Sequence, residues 1–267
     1  MIYKGVAVTG TDTGVGKTAC ACAFCALFRN AGFRTGVLKP VETGCSGVPE
    51  DGLRLCRAAG LPVPGEGNDP VPWDDVVPWR FESPVAPWES ARQEGVEISL
   101  DRIYQAMNLW MERCDAVIVE TAGGLLVPLN PRFSNADLIK ALALPVVVCG
   151  PNRLGVINHT LLTLEALARR GLNALAIVLS RLSDDFDASV SGNRSVLEGL
   201  TGLPVIEVPY TPAGRDTLRE GLDAVSVSAY DSISPFFPAV LEGAEQEWVR
   251  VRRRYVRERS KGGKDEV

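Results

Sequence analysis

Residues 6–18 read Val6-Ala7-Val8-Thr9-Gly10-Thr11-Asp12-Thr13-Gly14-Val15-Gly16-Lys17-Thr18. An apolar run comes first, then a glycine-rich turn ending in Gly-Lys-Thr, then a segment of helical character from Ala19 to Arg29. This succession of strand, turn and helix is the pattern of a phosphate-binding loop. Backbone N–H groups of such a turn converge on an anion, and the positive end of the helix dipole adds to the attraction. Lys17 is placed to reach the outer phosphates of a nucleotide, and the Thr18 hydroxyl to ligate Mg²⁺. Five residues, Thr11 to Val15, separate Gly10 from Gly16-Lys17-Thr18. That is one more than the common form of the loop has.

Outward from this loop, short apolar runs alternate with helical patterns. Strands are expected at 5–8, 35–39, 116–120, 145–149, 174–179 and 204–209. Helices are expected at 17–31, 51–59, 100–113, 135–143, 156–170 and 189–201. The strands are β-branched and apolar on both faces, as in a parallel sheet covered by helices on each side. The expected fold is therefore α/β, a doubly wound, mostly parallel sheet in three layers. Ligands in such folds bind beyond the carboxyl ends of the strands. Residues 62–87 are rich in Pro, Gly, Trp and Asp, show no period, and are expected to form a long surface loop. Residues 242–259 carry Trp248, Val251 and Tyr255 at helical intervals and are expected to form a charged C-terminal helix, with 260–267 frayed. The division expected is 1–238 for the nucleotide-binding domain and 239–267 for the helix and tail.

The composition is that of an ordinary globular protein. Of 267 residues, 46% are hydrophobic and 23% charged. A net charge of −5 gives no reason to expect nucleic acid or an anionic membrane as partner, and the basic stretch Arg250 to Arg259 reads as a solvated helix face. No apolar run approaches the length of a membrane span. Met1 to Gly5 lead straight into the first strand, so no secretory signal is expected. Seven cysteines lie mostly in apolar segments without histidine partners, and Cys22 and Cys25 fall inside the helix after the loop. Reduced buried thiols and a cytoplasmic protein are the expectation.

Other motifs sit at the carboxyl ends of expected strands. Lys39, stopped by Pro40, either projects into the ligand crevice or is a solvated lysine at a loop start. Thr43 and Gly44 then make a turn that aims a hydroxyl toward the same crevice. Asp51 opens a helix, as an N-cap or as an acidic contact to Mg²⁺. Glu120 closes the run 116–120, where an acidic residue in a phosphate-loop protein serves as a second Mg²⁺ contact. Gly123 and Gly124 follow and let the backbone approach a ligand closely. Arg153 to Thr160 open a helix whose free N–H groups suit a carboxylate or phosphate. His159, the only histidine, has no partner for catalysis in the sequence.

Four segments together resemble the dethiobiotin synthetase family, over about Val6 to Asp216. They are Gly10-Thr11-Asp12-Thr13-Gly14-Val15-Gly16-Lys17-Thr18, Leu38-Lys39-Pro40-Val41-Glu42-Thr43-Gly44, Val119-Glu120-Thr121-Ala122-Gly123-Gly124-Leu125-Leu126-Val127-Pro128-Leu129 and Leu154-Gly155-Val156-Ile157-Asn158-His159-Thr160-Leu161-Leu162-Thr163. The longer phosphate loop is that family's own form. The resemblance implies a P-loop NTPase-type fold and an ATP- and Mg²⁺-dependent ligase of biotin synthesis. Its substrates would be 7,8-diaminopelargonic acid and CO₂. It implies that Asp12, Thr13, Gly14, Val15, Gly16 and Lys17 surround the triphosphate, with Gly123 close by. Thr18, Asp51 and Glu120 would hold Mg²⁺. Lys39 and Lys17 would steady the carbamate and its phosphorylated form. Thr13 and Thr43 would contact the diamine. The family is a homodimer, so Leu154, Gly155 and Asn158 of the partner subunit would hold the substrate carboxylate.

The chain also departs from the family pattern. Ser180 stands where an adenine-contacting Asn is usual, which turns attention to the backbone near Pro209, Tyr210 and Thr211. Trp88 replaces a histidine after Ser83-Pro84. Two other readings of the loop are an amidating ligase of the cobyrinic acid diamide synthase type and a partition or metallochaperone-like switch ATPase. The first lacks a glutaminase region here. The second lacks the extra loop lysine, with Asp12 and Thr13 in its place.

Overall fold

The computed structural model describes residues 4–30, 32–63, 71–185 and 187–210. The expected C-terminal helix, the boundary at 238 and the contact residue Thr211 lie outside these residues. In chain order the elements begin with β1 (Gly5–Gly10), α1 (Lys17–Asn30), β2 (Thr35–Leu38), β3 (Val41–Thr43) and α2 (Glu50–Ala59). Next come α3 (Trp73–Val76), β4 (Trp79–Phe81), α4 (Pro87–Gln93), α5 (Leu100–Arg113) and β5 (Ala116–Gly124). Then follow β6 (Pro128–Asn130), β7 (Phe133–Ser134), α6 (Asn135–Leu142), β8 (Val146–Pro151) and α7 (Val156–Ala168). The last are β9 (Ala174–Ser180), α8 (Val190–Thr201) and β10 (Val205–Val208).

All six expected strands pair into one parallel sheet, in the order β10-β9-β8-β1-β5-β2. Every residue of β1 and of β8 is buried, so helices and loops cover both faces. Such strands need apolar side chains on both sides, which is why the sequence shows runs rather than alternation. From β1 the chain crosses to the edge strand β2 and returns to β5 beside β1, then builds outward on the other side through β8, β9 and β10. The order reverses at β1, so its carboxyl end opens into a crevice flanked by β5 and β8. The phosphate-loop segment leaves the sheet at that point. Leu27 and Phe28 of α1, with Leu38 and Ile118 of the sheet, lie fully inside the core. Each such side chain contributes about 1.5–3 kcal/mol by leaving water.

One expectation needs correction. The stretch 62–87 is not a plain surface loop where it is described. Val76, Val77 and Phe81 are buried, and β4 pairs in parallel with β3. The Lys39 N–H donates to the Val76 carbonyl at 2.8 Å, and Trp110 Nε1 donates to the Asp75 carbonyl at 2.7 Å. The segment folds over the end of β2 and encloses Lys39.

α6 shows why its sequence starts a helix where it does. The Ser134 hydroxyl accepts from the Asp137 N–H, and the Asp137 carboxylate accepts from the Ser134 N–H at 2.9 Å. This reciprocal cap satisfies two donors that a helix start leaves open. Asn135 beside it donates to the carbonyls of Ala122 and Gly124, at 2.6 and 2.9 Å, and holds the end of β5 in place. Among the described residues, no helix is long and apolar enough to cross a membrane.

Candidate active site

The loop between β1 and α1 owes its shape to glycine. Gly14 and Gly16 take φ of 70° and 89°, in the left-handed region that favours glycine. Lys17 curls back over the loop, its ammonium donating to the Asp12 carbonyl at 2.8 Å. Its burial, and then the nearby Lys39, hold its pKa below the ordinary lysine value. The Asp12 carboxylate accepts the Thr13 N–H at 2.7 Å. Thr13 meets the end of β5, where a Cβ on Gly123 would lie 3.3 Å from the Thr13 hydroxyl. The structure thus brings Asp12, Thr13, Lys17 and Gly123 together.

Lys39 and Glu120 meet for a reason of register. Leu38 of β2 pairs with Val119 of β5, so the next residue of each strand lies side by side. The Lys39 ammonium donates to Glu120 at 2.5 Å and to Asp51 at 2.7 Å. Lys39 is 3% and Glu120 1% exposed. Burial opposes charge on Lys39, but Glu120 and Asp51 outweigh it and raise its pKa above the ordinary value. Burial likewise outweighs the pull of Lys39 on Glu120 and pushes that carboxyl up. Burial opposes charge on Asp51 too, but Lys39 and the Thr18 hydroxyl outweigh it there and keep the carboxyl low. We take the cluster as ionised, because one ammonium faces two carboxylates at hydrogen-bond distance. The alternative of a solvated Lys39 is ruled out by its burial.

Thr18 joins this cluster. Its hydroxyl lies 2.9 Å from Asp51 Oδ1 and 3.0 Å from Glu120 Oε1, and its one proton can serve either. Asp51 is not the N-cap of α2. That position belongs to Pro49, whose side chain cannot cap. The cap comes from Glu42 of β3, a residue whose role sequence reasoning missed. Its two carboxylate oxygens accept the N–H groups of Asp51 and Gly52, at 3.0 and 3.1 Å. Burial pushes the Glu42 carboxyl up to about 7. A carboxylate three residues ahead of Cys45 carries no local signal of this long reach. Freed from capping, the Asp51 side chain turns to Thr18 and Lys39.

The oxygens of Thr18, Asp51 and Glu120 suit a hard divalent cation. Glu120 Oε2 is buried without a hydrogen-bond partner among the described residues, which leaves it free to take a cation. Among the described residues, no group of three or more His, Cys, Asp and Glu side chains could hold a metal alone. Two carboxylates and one hydroxyl fit a magnesium ion, which keeps waters and takes phosphate oxygens as further ligands.

The other expected site residues are placed as follows. Thr43 is half-buried at the end of β3. Leu154 is 81% exposed, and Gly155, Asn158 and His159 also face solvent. The Leu154 N–H is taken by the Asp187 carboxylate at 2.9 Å. Tyr210 is exposed just after β10, beside Pro209. Ser180 is 2% exposed and lies under the loop, where a Cβ on Gly16 would come within 2.7 Å of its hydroxyl. It faces the loop rather than solvent. Trp88 lies on α4 and is 42% exposed.

Residues 4–214 match a family model described as an AAA domain. The chain is 44% identical over 211 residues to the ATP-dependent dethiobiotin synthetase BioD of Anaeromyxobacter dehalogenans strain 2CP-C, covering 78% of this chain and 91% of that one. It is 36% identical to the protein of the same name from Bacillus licheniformis, covering 80% and 87%. It is 34% identical to that of Aquifex aeolicus, covering 76% and 87%. Among solved structures it is similar to the ATP complex of a variant of Cyanothece McdA, with a TM-score of 0.51 and 12% identity over 85% of this chain and 96% of that one. At that identity the likeness shows a shared fold alone.

Proposed function

The chain belongs to the ATP-dependent dethiobiotin synthetase family, and on that premise we propose that it closes the ureido ring of dethiobiotin from 7,8-diaminopelargonic acid, CO₂ and ATP. One amine of the diamine takes up CO₂ as a carbamate and releases a proton. A carbamate oxygen attacks the γ-phosphorus of ATP, and ADP leaves. The second amine attacks the carbonyl of the mixed anhydride, and phosphate leaves as the ring closes.

The observation that carries this reading is Lys39, buried between Glu120 and Asp51 and linked through Thr18 to the start of α1. Negative charge gathers on carbamate and transferring phosphoryl oxygens at this point. A cation fixed beforehand by the fold stabilises it without reorganisation. Lys17 and the loop N–H groups from Gly14 to Lys17 hold the phosphates. Asp12 and Gly123 flank them, and Pro209 and Tyr210, exposed just after β10, mark the side from which the base is approached. Ser180, buried under the loop, is not a base contact. Thr18, Asp51 and Glu120 would hold Mg²⁺, which would supply charge neutralisation at the phosphates when bound. Thr13 and Thr43 face the diamine, and Leu154, Gly155 and Asn158 of the partner subunit take its carboxylate. No covalent enzyme intermediate is needed, since positioning supplies much of the rate.

The test is direct. Purified protein is incubated with the diamine, bicarbonate, Mg²⁺ and ATP, and dethiobiotin is followed by mass spectrometry with ADP in step. A folded protein that makes ADP without dethiobiotin, or neither, sinks the proposal.

A further inference from the structure

Two buried side chains that the proposed chemistry does not use hold the underside of the phosphate loop. Cys149, in β8, meets the loop at both ends. Its main-chain carbonyl accepts the Thr11 N–H at 2.9 Å, where the loop leaves β1. Its thiol donates to the Val15 carbonyl at 3.3 Å, where the loop approaches α1. Ser180 lies alongside, its hydroxyl 3.6 Å from the Cys149 sulfur. The same hydroxyl limits how far Gly16 can sink. Cys149 is 0% and Ser180 2% exposed, so neither reaches a bound molecule on the outer side of the loop.

The geometry of the peptide group gives this contact a consequence. The Val15 carbonyl and the Gly16 N–H belong to one peptide, which is trans, so they point in opposite directions. A carbonyl drawn inward to the Cys149 thiol turns the Gly16 N–H outward. Outward is the concave side of the loop, where N–H groups meet an anion. A thiol is a weak donor, but inside a dry, low-dielectric pocket a weak hydrogen bond counts for more than in water.

We propose that Cys149 is a positioning residue for nucleotide binding: its thiol fixes the Val15–Gly16 peptide with the Gly16 N–H aimed at phosphate. The inference rests on the reading of 10–18 as a nucleotide site. It concerns affinity for phosphate and not ring closure, so the two are tested separately.

The experiment compares ADP binding by calorimetry in the wild type, Cys149→Ala and Cys149→Ser, with ATP kinetics on each. Alanine removes the donor, and serine returns a hydroxyl donor. Cys149→Ala is expected to weaken ADP binding roughly five- to tenfold, the effect of one lost hydrogen bond. Its KM for ATP should rise with it, while kcat at saturating ATP stays within about threefold. Cys149→Ser should return to within about threefold of the wild type. A residue that only filled space would show neither this split nor this rescue. A second readout uses the wild type itself. The S–H stretching band found in the wild type and missing from Cys149→Ser should shift when ADP binds. If Cys149→Ala does not fold, the serine variant and this band decide. Wild-type ADP affinity in folded Cys149→Ala, failure of serine to improve on alanine, or a band indifferent to ADP overturns the role of Cys149 and leaves the nucleotide site standing. A wild type that binds no ADP overturns both.

Discussion

At Lys39, burial and charge work against each other, and the balance sets what its removal does. The ammonium offsets Glu120, which the fold has drawn out of water, and Asp51, which keeps partial contact with it. Lys39→Ala leaves Glu120 and Asp51 facing each other, and breaking a buried pair in this way costs about 3–5 kcal/mol. In stopped assays of the folded variant, turnover should fall about a hundredfold or more, as for loss of a donor at developing charge, while ADP affinity changes far less. Equal losses in both would remove Lys39 from the carbamate role. Mg²⁺ should raise the melting temperature of Lys39→Ala more than that of the wild type, because the ion supplies the missing charge. Glu42 gives a separate prediction. Burial raises its pKa from 4.5 to about 7 in the folded state, so between these values the native protein holds a proton that the unfolded chain has released. Its contribution to stability is therefore full below pH 4.5 and lost as pH rises through 7. The loss is on the order of 3 kcal/mol. Denaturation midpoints taken without Mg²⁺ across this range should fall more steeply for the wild type than for Glu42→Gln. Parallel curves would remove Glu42 as their source.

At the scale of elements, the loop between β1 and α1 is fixed by two glycines in different surroundings. Gly14 and Gly16 both have positive φ, but a Cβ on Gly14 meets open space. On Gly16 it would lie 2.7 Å from the Ser180 hydroxyl and 2.8 Å from the Ser180 Cβ. Gly14→Ala should therefore carry only the left-handed strain, about 1–2 kcal/mol. Gly16→Ala adds a clash and should weaken ADP binding well beyond Gly14→Ala. Adding Ser180→Gly should recover part of that loss and leave the strain, so the double mutant is non-additive. Additive effects would mean that Ser180 does not support the loop. The same contrast explains what was legible in the sequence. The loop, the six-strand sheet and the partners Lys39, Glu120 and Thr18 announce themselves through glycines and through charges at the ends of apolar runs. β3, β4, β6, β7 and α3 span two to four residues each, too few for a period to show. The segment around Val76 looked like a loop because Pro and Asp dominate its composition, yet Val76 and Val77 are buried and the Val76 carbonyl takes the Lys39 N–H. Glu42 and Cys149 act through contacts across 9 and 134 residues, which no local pattern carries.

For the whole molecule, the proposed site would be completed by a second copy of the chain. Lys39 and Glu120 are enclosed, but Asn158 faces solvent, and Leu154 and Leu162 are 81% and 56% exposed around the start of α7. Exposed leucines beside a polar helix start suit a contact with a second copy, which would place Asn158 against the substrate of the other subunit. A dimer built in this way makes a prediction that a monomer cannot meet. Lys39→Ala destroys the phosphoryl side of a site, and Asn158→Ala weakens the carboxylate side contributed by the neighbour. In a mixed dimer the two lesions fall in the same site, because Asn158 of one chain serves Lys39 of the other, so the remaining site is intact. Mixing the two variants under conditions that allow subunit exchange should restore about a quarter of wild-type activity at low diamine concentration, since half of the re-formed dimers are mixed and each holds one intact site of two. Each variant alone should stay well below that level. Activity that only averages the two parents would mean that Asn158 acts within its own chain or not at all.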